Sequence, residues 1–118
     1  MNINEMLSEN SFLIGLKPSS KKQILEELSK LAEKELNINY RDILECLIKR
    51  EKLGSTAVGN GVAIPHATNK LIKQSKGFIA ILSSGIEFNA IDDQPVDIIF
   101  LLLAPDNNGS EHLQSLAS

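Results

Sequence analysis

A chain of 118 residues with 42% hydrophobic and 23% charged side chains fits one soluble globular domain with a real core, since domains cluster at about 100–150 residues. Its formal net charge of -3, with twelve Lys and Arg spread along the chain and only four Phe and one Tyr to stack on bases, excludes the basic footprint of a nucleic-acid binder. The single cysteine, Cys46, excludes an intrachain disulfide and a cysteine-rich zinc site, and it reads as a buried, inert thiol in a reducing compartment.

The N-terminus, Met1 to Leu7, lacks a basic start followed by an apolar core, so no secretory leader is expected. Residues up to Glu9 read as a short amphipathic turn or helix with Ile3, Met6 and Leu7 on one side. Phe12-Leu13-Ile14-Gly15-Leu16, closed by Pro18, reads as a buried strand. Ser20 with Gln23 three residues on has the form of a capping box. Behind it, Ile24, Leu25, Leu28, Leu31 and Ala32 recur at helical steps and predict one inward stripe.

A second helix is expected from an Asn39 N-cap, with Asp42 near its positive end and Ile43, Leu44, Leu47 and Ile48 facing inward. Lys49 and Arg50 fall in its last turn, where cations are favoured, and Gly54 lies just beyond. Gly77 to Leu82 reads as a strand, and Val96 to Pro105 as a longer one that is apolar on both faces, which calls for helices on both sides of its sheet. Its apolar run from Ile98 to Ala104 falls far short of the ~20 residues that span a bilayer, so the cytoplasm is the expected setting. Between the two strands, Ser83 to Pro95 has no helical period; the pair is therefore antiparallel, or separated by a small strand at Glu87-Phe88, and the sheet is mixed. Asp106 to Ser110 reads as a loop, and a helix begins at Ser110 with Leu113, Leu116 and Ala117 inward. With no repeat or linker, one domain covers residues 1–118.

The chemistry gathers between Arg50 and Ala67, where an arginine, two hydroxyl residues, three glycines and a histidine share one segment. Glycines bring backbone N–H groups close to an anion. His66 follows Pro65, which fixes its own φ and pushes Ile64 into an extended conformation. An imidazole held by a backbone carbonyl on one nitrogen leaves the other to attack phosphorus. From the residues alone His66 is equally a strand-end cap, Arg50 equally a cation that neutralises a helix dipole, and His112 either a donor to phosphoryl oxygens or an exposed first-turn residue. A metal site built from His66 and His112 with Glu51, Asp106 or Glu111 has no recognisable ligand spacing. Ser55 and Thr56 lack the surroundings of a hydrolytic nucleophile.

Arg50-Glu51-Lys52-Leu53-Gly54-Ser55-Thr56 through Gly61-Val62-Ala63-Ile64-Pro65-His66-Ala67 resembles the active-site signature of the fructose/mannitol-type IIA domains of the bacterial phosphotransferase system. Phe88 to Asp97, the strand to Pro105, and His112-Leu113 with Leu116-Ala117 resemble the same family in the same order. Within it, the wording of Ile91-Asp92-Asp93-Gln94-Pro95-Val96-Asp97 is most similar to the nitrogen-regulatory IIA proteins.

The resemblance implies a three-layer α/β/α sandwich with a mixed, mainly parallel sheet. The family normally continues past the equivalent of Ser118, so the C-terminal helix is expected to be cut short. His66 would be the phosphoryl acceptor, His112 the second active-site histidine that stabilises the phosphoryl group, and Arg50 the arginine that assists transfer. Thr56, Gly59, Asn60 and Gly61 would line the phosphate pocket. The donor implied is an HPr-type phosphohistidine carrier. The acceptor is either a regulatory target chosen by phosphorylation state or, in a sugar-uptake component, a IIB cysteine. No cofactor, metal, nucleic acid or membrane insertion is implied.

Overall fold

The structure, a computed structural model, describes residues 3–106. Helix α1 is a single short piece, Ile3–Met6. Helix α2 (Lys21–Leu36) starts behind Ser20, whose hydroxyl accepts the Gln23 N–H at 3.1 Å. The Gln23 side chain returns to the Ser19 N–H, one residue earlier than a strict capping box requires. Asn37 ends α2 in the left-handed region at φ 57°, with its N–H on the Glu33 carbonyl. Helix α3 (Tyr40–Lys52) starts behind Asn39, whose side chain takes the Arg41 N–H at 2.9 Å.

Strands β1 (Phe12–Leu16), β2 (Ala57–Gly59), β3 (Val62–Ala63), β4 (His66–Asn69), β5 (Lys76–Ile86) and β6 (Val96–Pro105) form one sheet in the order β1-β5-β6-β3-β2, with β4 also paired to β6. The β1/β5, β3/β6 and β4/β6 pairings are parallel, while β5/β6 and β2/β3 are antiparallel. The sheet is mixed, as the missing helix between β5 and β6 requires. No separate strand forms at Glu87-Phe88; instead β5 runs on to Ile86 and meets Val96 after a register shift.

Side-chain alternation along β6 divides the interior. Ile99, Leu101 and Leu103 join Phe78, Ala80 and the stripes of α2 and α3, including Ile24, Leu28, Ile43 and Leu47, in the main core. Leu102 and Ala104 face the other way, against Met6 of α1, with Ile64 and Phe100 beside them. Helices therefore flank both faces of the sheet. β1 departs from expectation: it is a strand, but at the sheet's edge, and Ile14 is 73% exposed. Apolar composition identified the strand, but burial depends on its neighbours, and β5 is its only sheet partner among the described residues. The expected helix from Ser110, with Leu113, Leu116 and Ala117, lies outside the described residues.

Candidate functional site

β3 and β4 occupy one lane beside β6, Val62 opposite Ile98 and His66 opposite Leu102. The lane breaks at Ile64-Pro65, because proline has no N–H to give to a ladder. The Pro65 carbonyl still accepts the Leu102 N–H at 3.0 Å. At the break both backbone groups of Ile64 are diverted: its N–H donates to the Thr56 carbonyl at 2.9 Å, and its carbonyl meets Nδ1 of His66 at 3.0 Å. A carbonyl only accepts, so Nδ1 carries a proton, and in the neutral ring Nε2 keeps its lone pair.

Nε2 faces Arg50. The Arg50 Nε–H approaches it at 3.4 Å, while Nη1 of the same guanidinium donates to the Gly54 carbonyl at 2.8 Å. Arg50 lies in the last turn of α3, as the sequence predicts, and it is fixed there by the loop that follows its own helix. Both His66 and Arg50 are half-buried, reachable by a partner yet shielded from bulk water.

Behind this pair sits an ionic brace. Glu51, its side chain only 7% exposed, accepts the N–H of Thr56 at 3.2 Å and the Thr56 hydroxyl through its other oxygen, and it pairs with the Lys21 ammonium at 2.7 Å. Lys21 also lies over the Phe88 ring, 4.6 Å from its centre. Thr56 is buried with its hydroxyl committed to Glu51, so the side chain braces the loop instead of reaching an anion beside His66. Sequence reading considered Glu51 only as a metal ligand; its five-residue spacing to Thr56 across a helix end was the available signal.

Gly59, Asn60 and Gly61 do not join the imidazole. Asn60 (φ 57°) and Gly61 (φ 81°) form the two-residue loop between β2 and β3, the positive-φ pair that closes a tight hairpin. Along β6 the hairpin is separated from His66 by the run from Ile98 to Leu102, about 13 Å of extended chain. In the fold these residues supply turn geometry. Asn60 is held by Asp92, which accepts its N–H at 2.9 Å and the Gln94 N–H at 3.1 Å.

Those two N–H donors, Asn60 first, hold the Asp92 carboxyl below the usual aspartate range. The folded state thus favours the charged form. The resulting stability is complete above the ordinary aspartate value and is lost as pH falls through the depressed folded one. An NMR titration of the Asp92 carboxyl carbon is expected to give a midpoint below that of an unstructured aspartate. A midpoint at or above it would mean that the hairpin is not pinned this way. His112 lies outside the described residues, so its distance from His66 is not part of this geometry.

Residues 5–118 match the family described as phosphoenolpyruvate-dependent sugar phosphotransferase system, EIIA 2. The chain is 45% identical over 117 residues to a nitrogen regulatory protein of Bradyrhizobium diazoefficiens, covering 99% of this chain and 76% of that one. Matches to other nitrogen regulatory proteins span as little as 61% of their length. Its fold superposes on the crystal structure of nitrogen regulatory protein IIA-Ntr from Neisseria meningitidis with a TM-score of 0.91 at 41% identity, covering 98% and 79% of the two chains. It also superposes on the IIA mannitol enzyme in a complex with its phosphorylated IIB enzyme from Escherichia coli, at TM-score 0.78, with 93% and 78% covered; at 18% identity that likeness establishes the fold alone. The polarised histidine, the arginine beside it and the mixed sheet that carries them therefore belong to a type-2 IIA domain of the phosphotransferase system, close to its nitrogen-regulatory members.

Proposed function

We propose that this domain is a reversible phosphoryl carrier whose acceptor atom is Nε2 of His66, loaded from a phosphohistidine on an HPr-type donor. The observation that carries the reading is the polarised imidazole: Nδ1–H is held by the Ile64 carbonyl, and the lone pair of Nε2 faces the Arg50 guanidinium. In the transfer, the Nε2 lone pair forms a bond to phosphorus as the N–P bond of the donor breaks in line with it. Arg50 moves its fork onto the equatorial oxygens and offsets their charge. Catalysis is then positioning plus electrostatics, with little covalent work for the protein. Phosphorylation at Nδ1 would cost the bond to Ile64, and phosphorylation at Nε2 keeps it.

The same reading gives the domain a cytoplasmic, nitrogen-regulatory role in which the phosphorylated and free forms bind different target proteins. Supporting it, relatives at 45% and 41% identity carry nitrogen-regulatory names, whereas a fructose-specific EIIA component matches at 35%. No helix of the described residues is long and apolar enough to cross a membrane. Incubation with phosphoenolpyruvate, the first enzyme of the system and an HPr-type carrier is expected to give acid-labile phosphate, with the phosphorus on Nε2 by ring-nitrogen NMR. Absence of label would refute the carrier reading. Rapid discharge of the labelled form to a IIB cysteine would favour sugar uptake over regulation.

A further inference from the structure

Lys21 is out of place on local grounds. It is the first residue of α2, at the positive end of the helix dipole, where a cation is disfavoured. Yet its side chain is only 19% exposed, with the ammonium 2.7 Å from a Glu51 oxygen and 3.4 Å from Oδ1 of Asn89. Glu51 is more deeply buried still, and a carboxylate there requires charge pairing and donors for its lone pairs. It has all three: the Lys21 ammonium, the Thr56 N–H and the Thr56 hydroxyl.

Followed onward, the contacts form one line to the acceptor. Glu51 holds Thr56; the Thr56 carbonyl accepts the Ile64 N–H; the Ile64 carbonyl takes Nδ1–H of His66. A second line starts from the neighbouring residue: Arg50 grips Gly54, in the loop that Glu51 ties down at Thr56, and reaches Nε2. The imidazole is thus gripped at both nitrogens by elements whose common anchor is Glu51.

We propose that Glu51 and Lys21 are positioning residues for the phosphoryl acceptor: through Thr56 and Ile64 they hold His66 in the Nδ1–H tautomer and aim Nε2. This rests on the phosphocarrier reading for its consequence, but the tautomer is readable without any donor. Neither residue touches the reacting atoms. Their effect is the fraction of time that Nε2 presents a lone pair in line with the incoming phosphorus.

Glu51→Gln keeps the shape, but its amide accepts through one oxygen only and leaves the Lys21 charge unpaired. Outer partners that orient a metal-ligating histidine are worth about 10–100-fold, and by analogy a loss of that size is expected in the rate of phosphoryl uptake. In the unphosphorylated protein the ring-nitrogen NMR signals of His66 are expected to move from a pure Nδ1–H pattern towards the tautomer average. Lys21→Met is expected to move both readouts in the same direction and to add nothing to Glu51→Gln in the double variant, whereas Lys21→Arg keeps the pair and restores the wild-type values. If Glu51→Gln does not fold, Lys21→Met at the helix end decides. Wild-type rate and wild-type tautomer signals in a folded Glu51→Gln or Lys21→Met variant would overturn the proposal. A wild-type protein that takes up no phosphate would count against the carrier reading, and the NMR signals would then decide the brace alone.

Discussion

His66→Ala takes up no phosphoryl group from a phosphorylated HPr-type carrier, while it still folds and unfolds cooperatively, with a modestly lower midpoint. The chemical half of this expectation follows from the lone pair. Nε2 is the atom that the neighbouring partners leave basic and facing an arginine, and a methyl group has nothing to offer phosphorus. The structural half follows from position: His66 is half-buried at the first residue of β4. Alanine keeps the backbone pairing with Leu102 and loses two side-chain hydrogen bonds, one to the Ile64 carbonyl and a longer one from Arg50, each worth about 0.5–1.5 kcal/mol at most. Label is measured as acid-labile phosphate after a short incubation, and folding by the unfolding midpoint of the same sample. Label persisting in His66→Ala would move the acceptor elsewhere, with the other histidine of the sequence, His112, the first to be substituted next.

What the sequence made legible, and what it hid, divides along a physical line. β6 was readable because its run from Ile99 to Ala104, covered on both faces, is apolar throughout, and proline ends it. The starts of α2 and α3 were readable because Ser20 and Asn39 satisfy backbone groups within three residues of themselves. β1 was readable as a strand and misread as buried, since edge position is set by elements more than sixty residues away. The same limit applies to the site. The proline and the histidine announce a presented imidazole locally, and Arg50 is announced by its helix end. Asn60-Gly61 carries an equally local signal, the two-residue hairpin loop, and three glycines close together suit a hairpin and a phosphate cradle alike. Glu51 sent only a faint local signal, its five-residue spacing to Thr56, and Lys21 sent none. A carboxylate on a helix reads as a solvated residue until α2 is laid beside α3 and supplies its counter-charge.

Arg50→Ala lowers the rate of phosphoryl transfer to His66 by about two to three orders of magnitude, the loss seen when one preorganised donor to a developing negative charge is removed. The competing account of this residue is that it neutralises the dipole at the end of α3. On that account alanine costs about 0.3–1 kcal/mol of stability and leaves the rate untouched. The two accounts separate on one protein, measured once for its unfolding midpoint and once for single-turnover transfer. Arg50→Lys sharpens the separation. Lysine satisfies a dipole as well as arginine does, so the dipole account expects full rescue. The geometry expects little: Nη1 is spent on the Gly54 carbonyl while Nε faces Nε2 of His66, a two-point grip that a planar fork can make and a single ammonium cannot. Most of the deficit is therefore expected to remain in Arg50→Lys, and an Arg50→Lys protein at wild-type rate would reduce Arg50 to a helix-end charge.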